Sequence, residues 1–255
     1  MDLRAAVYAA LCLLPGAAVR AGEPTLIRVA AQVDSEPKFV AQGTGAVGSC
    51  IDIFRAIEKV DAELRFVGDQ QWIPLKRIEA LIAGGKLDAA CGLVRSDERI
   101  AAYRIPDTPL FSVTYHMVVR ADDTVNAKNF DDVRKLNGDG IVLVNAGSGA
   151  IAALKKAGKL KIDSTANTAA QNIDKLLAKR GRFFYYRIPG LSSEIKKSGH
   201  EGQVRVLPWT FDSQVFYMVL GKHVSNGAAA KIALALAKLN EQGELKQIAE
   251  RWSAY

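Results

Sequence analysis

From Thr25 onward, short apolar runs alternate with stretches in which apolar residues recur every three or four positions. That alternation predicts βα units around a mainly parallel sheet. Residues 26–31 read as a first strand, and residues 51–60 as a helix with Ile53, Phe54, Ile57 and Val60 on one side. Residues 64–67 form the next strand and 75–83 a second helix, with Ile78, Leu81 and Ile82 inward and Gly84-Gly85 as its stop. Residues 87–94 are then a short buried strand closed by a polar cluster. A second set begins after Pro109, with extended residues 113–120, a helix over 130–136 and a strand over 140–144. Helices over 150–156, 169–179 and 191–197 follow, interleaved with strands over 183–186 and 204–207. Residues 215–220 are again extended, and 228–252 are helical with a break near Gly243. This last segment follows the completed second set, so it is expected to pack back on the first. Two such sets leave a cleft between them, and ligands of open α/β sheets bind at the carboxyl ends of strands.

The 255 residues, 49% hydrophobic and 24% charged, suffice for a sizeable core in one large domain or two lobes. Residues 1–21 differ from the rest: Arg4 precedes an apolar run over 5–14, and Val19-Arg20-Ala21 puts small residues at the cleavage positions before Gly22. They read as a secretory signal peptide, because Pro15 and Gly16 end the run well short of the roughly 18 apolar residues that a membrane anchor needs. Cys12 lacks the small residue before it that a lipid-anchored cysteine takes. The mature chain is therefore expected to be soluble and periplasmic. Removing Arg4, Arg20 and Asp2 leaves 32 basic and 26 acidic side chains, a net charge of +6. The lysines and arginines are spread at helical or turn spacing without interleaved aromatics, which predicts solvated faces and no nucleic-acid partner. Two cysteines remain, Cys50 and Cys91. An even pair in an oxidising compartment predicts a disulfide, against the alternative of two buried thiols. His116, His200 and His223 are scattered without ligand spacing, so no metal and no cofactor is expected.

The candidate chemistry begins where residues 87–94 run into a helix start. Ser96 suits an N-cap, and Asp97 and Glu98 suit the first turn, where the helix dipole favours acid. Arg99 in that turn is the odd residue. A cation there is unfavourable unless an anion joins it, and free backbone N–H groups already attract one. An anion-binding corner is one reading, and a surface pair with Glu98 or Asp107 is the other. Asn145-Ala146-Gly147-Ser148-Gly149 is a second strand-to-helix turn whose small residues leave backbone N–H groups open. It lacks the lysine-and-hydroxyl ending of a phosphate-binding loop.

Taken in order, Gly85-Lys86-Leu87-Asp88, Ser96-Asp97-Glu98-Arg99, Pro109-Leu110, Val144-Asn145-Ala146-Gly147-Ser148 and Gly243-Glu244-Leu245-Lys246-Gln247-Ile248-Ala249-Glu250-Arg251-Trp252 resemble the family 3 bacterial extracellular solute-binding proteins, receptors of polar amino acid ABC importers. The resemblance covers essentially the whole mature chain. It implies an α/β fold of the two-lobe periplasmic binding protein type (type II, Venus flytrap). Lobe 1 would hold residues 22–109 and 218–255, lobe 2 residues 114–212, with hinges at about 110–113 and 213–217. It also implies that Arg99 makes a bidentate pair with a ligand carboxylate, a geometry that a planar guanidinium matches and lysine does not. Backbone groups around Ser96, Gly92 and Val94 would assist, and Asn145, Ser148 and Gly149 would close on the same carboxylate. Asp52 matches a family acid and reads mainly as helix cap or fold support.

The departures bear on the solute. The family places an acid near the end of the strand at residues 181–189 to hold an α-amino group, and this chain has none there. A buried ammonium without a carboxylate is costly, so an ordinary α-amino acid fits poorly. Pro74-Leu75-Lys76-Arg77 resembles a subgroup with an arginine after an aromatic; Leu75 replaces the aromatic, and Trp72 stands nearby. Arg77, Arg95, Arg99 and Arg187 together would make a positive cleft with Trp72 or Tyr186 as its apolar wall, unless Arg77 and Arg187 form surface or interlobe pairs. Of Tyr185 and Tyr186, one is expected to face the core and one the cleft. The expected function is capture of a small anionic or carboxylate-bearing solute, an amino acid or related organic acid, by a monomer serving an ABC permease. A serine or cysteine with a histidine base is not evident, and no enzyme activity is expected. Two alternatives stand beside it: a cyclohexadienyl dehydratase-like enzyme using Asp34 or Glu36, and a sensor or accessory protein that docks a partner.

Overall fold

The computed structural model describes residues 23–254. The signal peptide read over residues 1–21 lies outside them. Thr25–Arg28 pairs in parallel with Leu64–Val67, and Ala31–Gln32 pairs in parallel with Trp72–Ile73. The one strand expected over 26–31 is thus two pieces. Val29 N still donates to Val67 O at 2.9 Å, but Ala31 N donates to Gln71 O at 2.9 Å, because the partner chain turns between them. A hairpin of Val40–Gln42 and Gly45–Val47, which no periodicity announced, precedes the first helix.

That helix, Ser49–Val60, starts two residues before its expected bound. Its apolar stripe buries Ile53, Phe54 and Ile57 completely, and Phe54 stacks on Phe66 with ring centroids 4.6 Å apart. Each such side chain contributes about 1.5–3 kcal/mol through area removed from water. Cys50 and Cys91 are bonded, joining the helix start to the strand Ala89–Val94 across a sequence separation of 41. Asp52 accepts from Trp252 Nε1 at 2.9 Å and from Arg251 Nη2 at 3.2 Å, so this acid ties the first helix to the last.

The central sheet is mixed and curled. Phe111–Arg120 and Asp212–Gly221 run antiparallel to each other, with Asp212 opposite Tyr115 and Phe216 opposite Phe111. Ala89–Val94 pairs antiparallel with the far end of Asp212–Gly221. Phe183–Ile188 pairs antiparallel with Phe111–Arg120, followed by Val142–Leu143 and Ile162–Asp163 in parallel. Buried strands read as plain apolar runs whichever way they point, so the sequence predicted the strands better than their directions.

Beside smaller ones around Ile78, Ile82 and Leu93 on the first side and around Ile173, Phe184 and Tyr186 on the second, two large hydrophobic cores flank this ribbon. One gathers Ile27, Phe54 and Cys91 with the late residues Met218, Leu236 and Ile248, and the other gathers Val113, Tyr115, Val142, Leu154 and Phe216. The returning chain packs on the first core as expected. Asn226–Glu241 and Glu244–Arg251 are separated by Gly243 at φ 73°. Among the described residues no helix is long and apolar enough to cross a membrane.

Candidate functional site

Ser96 Oγ accepts from Arg99 N at 3.3 Å and N-caps the short helix Asp97–Ala102, the arrangement its sequence predicted. Arg99 is buried, 8% exposed. Neither pairing partner considered from the sequence holds it: Nε donates to Glu79 Oε1 at 2.9 Å and Nη1 to Val94 O at 3.2 Å. Glu79 lies on the helix Leu75–Ala83 and fixes the guanidinium plane, while Nη2 makes no hydrogen bond to the described residues. Asp107 instead holds Arg95 at 2.6 Å, with that guanidinium over the Tyr217 ring and away from the cleft.

The glycine-rich turn faces this corner. A Cβ at Gly149 would stand 3.4 Å from Arg99 Nη1 and 3.2 Å from Val94 Cγ2. The turn is braced from behind, as Asn172 Nδ2 donates to Asn145 Oδ1 at 2.7 Å and Ala150 N donates to Ser148 Oγ at 3.2 Å. Between the two halves lies a cleft of about 460 Å³, lined by Arg99, Gly92, Val94, Asn145, Ser148 and Gly149, and also by Tyr186. That volume is in the range of small-ligand pockets.

Lys38 also lines the cleft, and the sequence reading missed it. It is 4% exposed, and its Nζ donates to Gln32 Oε1 at 2.6 Å and to Gly92 O at 3.0 Å, with the Phe216 ring centroid 5.6 Å away. No carboxylate pairs with it among the described residues. Burial holds this ammonium well below the usual lysine range, and Arg187 and Arg99 depress it further. Arg187 reaches the same cavity, buried, with Nη2 on Glu36 O at 2.8 Å and its guanidinium over Tyr186 at 5.0 Å.

Residues 27–255 match the family model for bacterial extracellular solute-binding proteins, family 3. The chain belongs to that family. No relative is found among curated proteins. Solved structures share the fold at low identity. A mutant of ArgBP from T. maritima is 18% identical with a TM-score of 0.71, over 90% of this chain and 96% of that one. The amino acid ABC transporter substrate-binding protein AbpA from Streptococcus pneumoniae, bound to L-arginine, is 19% identical with a TM-score of 0.70, over 90% and 94%. The ancestral amino acid-binding protein AncCDT-1, a precursor of cyclohexadienyl dehydratase, is 20% identical with a TM-score of 0.69, over 89% and 95%. The two-lobe periplasmic binding protein fold is therefore this chain's fold.

Within this family 3 protein, three sequence-derived site residues besides Arg95 stand outside the cleft lining. Ser96 is consumed as a cap. Arg77 is exposed, because Leu75, Lys76 and Glu79 share the helix face toward the cleft and position 77 projects from the opposite side. Trp72 is 37% exposed on the short strand beside Ala31, before the chain turns into that helix. Tyr185 and Tyr186 do fall into different cores, as strand neighbours should, yet both touch the cavity. Tyr185 stacks on Tyr115 at 4.9 Å, and its buried hydroxyl has no partner among the described residues.

The acids divide in a useful way. Asp34 lines the cleft. Glu36 lies beside it, where Lys197 Nζ meets its Oε1 at 2.5 Å and the Ser193 hydroxyl donates to its Oε2. Lys38, Lys76, Arg99 and Arg187 against Asp34 make the lining predominantly positive.

Proposed function

We propose that this family 3 protein is an exported, monomeric receptor that closes its two lobes on a small carboxylate-bearing solute, an amino acid or related organic acid, and presents it to an ABC permease. The reading rests on one observation above all: the oriented Arg99 guanidinium, with Nη2 unengaged, abuts the Gly149 turn of the facing half. A carboxylate there meets a planar fork from one lobe and backbone N–H groups from the other. Lobe limits near residues 109 and 114, and again near 212 and 218, are supported by the two large cores, which divide the chain there and share Phe111 at the crossing. The expected hinge segments at 110–113 and 213–217 lie side by side in the ladder that joins Phe111 to Phe216.

A thermal-shift screen over amino acids, dicarboxylates and aromatic acids tests the reading, because a ligand of the folded state raises Tm by mass action. A shift lost in Arg99→Ala is expected. No shift with any anion, or one unchanged in the variant, overturns it. Asp34 on the cleft wall keeps a dehydratase as the second reading, with that carboxyl as its acid. Turnover of prephenate that disappears in Asp34→Asn would put the enzyme in the receptor's place.

A further inference from the structure

We propose that the solute carries two anionic groups, and that Lys38 and Arg187 hold the second, one from each side of the cleft. The inference rests on Arg99 holding the first. Lys38 and Arg187 are both buried and line one cavity, and neither has a carboxylate within salt-bridge distance among the described residues. The hydrogen bonds they make go to neutral oxygens, Gln32 and Gly92 for Lys38, and the Glu36 carbonyl and the Tyr186 hydroxyl for Arg187; the buried acid Glu194 acts on Arg187 from beyond salt-bridge distance. Two desolvated cations that repel each other are expensive to keep together. An anion between them removes both costs at once.

A second observation points the same way. The Tyr185 hydroxyl is a buried donor without an acceptor and lines the same cavity. A carboxylate oxygen would accept from it while meeting the Lys38 proton that neither Gln32 nor Gly92 uses. Arg99 is separately anchored by Glu79, so the two anionic ends have separate seats. The electrostatics also couple binding to closure. Lys38 sits in the loop beside the first core, and Arg187 lies in the strand that contributes Tyr185 to the second. Without ligand, bringing the lobes together adds a repulsion; with a second anionic group, the same motion adds an attraction.

Calorimetry on the mature chain with the straight-chain dicarboxylates from malonate to pimelate, then with the monoamide and diamide of the best binder, tests this. The diacid is expected to bind about tenfold more tightly than its monoamide, the scale of one charged hydrogen-bonding group. Lys38→Met and Arg187→Met are each expected to abolish the preference for the diacid over its monoamide. Lys38→Met is expected to unfold in ligand-free buffer no earlier than wild type, which separates lost recognition from lost folding. Equal binding of diacid and monoamide by wild type, or a preference retained in both variants, overturns the second anionic site and leaves the carboxylate reading standing. A diamide that binds as well as either overturns the carboxylate reading too. Failure of every diacid to bind also overturns the two-anion proposal.

Discussion

Glu36 Oε1 and Lys197 Nζ meet at 2.5 Å, joining the loop that carries Lys38 to the helix Leu191–Ser198 on the far side of the cleft. Ser193 of that helix donates to the other carboxylate oxygen, and Arg187 donates to the Glu36 backbone carbonyl. One acid therefore gathers three donors from the facing half.

Glu36→Gln keeps the volume and removes the charge. Lys197 is 48% exposed, so solvent screening limits the pair to about 1 kcal/mol, or about fivefold in the affinity of any solute that needs the closed form. Calorimetry with the best diacid, beside small-angle scattering of the free protein, is expected to show weaker binding and a larger radius of gyration. Unchanged values for both would mean that this contact does not favour closure.

Reduction of the Cys50–Cys91 bridge releases the chain between residues 41 positions apart. The chain-entropy account puts its stabilisation at roughly 4 kcal/mol, and measured bridges usually give about 2–4. Urea unfolding with and without reductant is expected to show a lower midpoint for the reduced protein. Two titratable thiols in the unfolded, unreduced protein would contradict the bridge.

Asp88 accepts from Arg28 N at 2.7 Å, from the Arg28 guanidinium at 2.6 and 2.8 Å, and from His223 Nε2 at 3.0 Å. Burial opposes its ionisation, but the Arg28 and His223 hydrogen bonds prevail and hold the carboxyl below its ordinary value. Its contribution is full above the ordinary carboxylate range and is lost as pH falls through the depressed folded value. Asp88→Asn is expected to cost about 1–3 kcal/mol at pH 7 and to converge on wild type in strong acid. An equal deficit at pH 7 and pH 2 in urea titrations would count against the charge.

Gly92 has φ 74°, and a Cβ there would stand 2.5 Å from Lys38 Cδ and 3.2 Å from the Phe111 ring. Gly92→Ala is expected to cost about 1–2 kcal/mol in backbone conformation alone and also to displace Lys38. Diacid binding should therefore fall further than stability does. A variant that binds normally would show that Lys38 has another place to go.

How much of this was legible in the sequence depended on range. The apolar stripe of Ile53, Phe54 and Ile57 and the Ser96 cap are local patterns, and both were found where spacing put them. The paired cysteines needed only an oxidising compartment. Glu79 was invisible as the partner of Arg99 because twenty residues and a strand separate them, and nothing local couples two helices that meet only in the fold. Lys38 carried no signal either: between Pro37 and Phe39 in an irregular loop, a lysine ordinarily reads as solvated. Arg77 was chosen over its neighbours on family likeness, while helix rotation was the quantity that decided which of them faced the cleft.

The two long strands that carry the chain from one core to the other are rungs of one ladder from Phe111 opposite Phe216 to Tyr115 opposite Asp212. A sliding displacement of one lobe past the other would shear those backbone bonds out of register, whereas twisting or bending the ribbon preserves them. On the proposed hinge reading, motion between the halves is thereby limited to twisting and bending of this ribbon. A solute that braces both lobes would then act on the ribbon through the full length of each lobe, as through a lever.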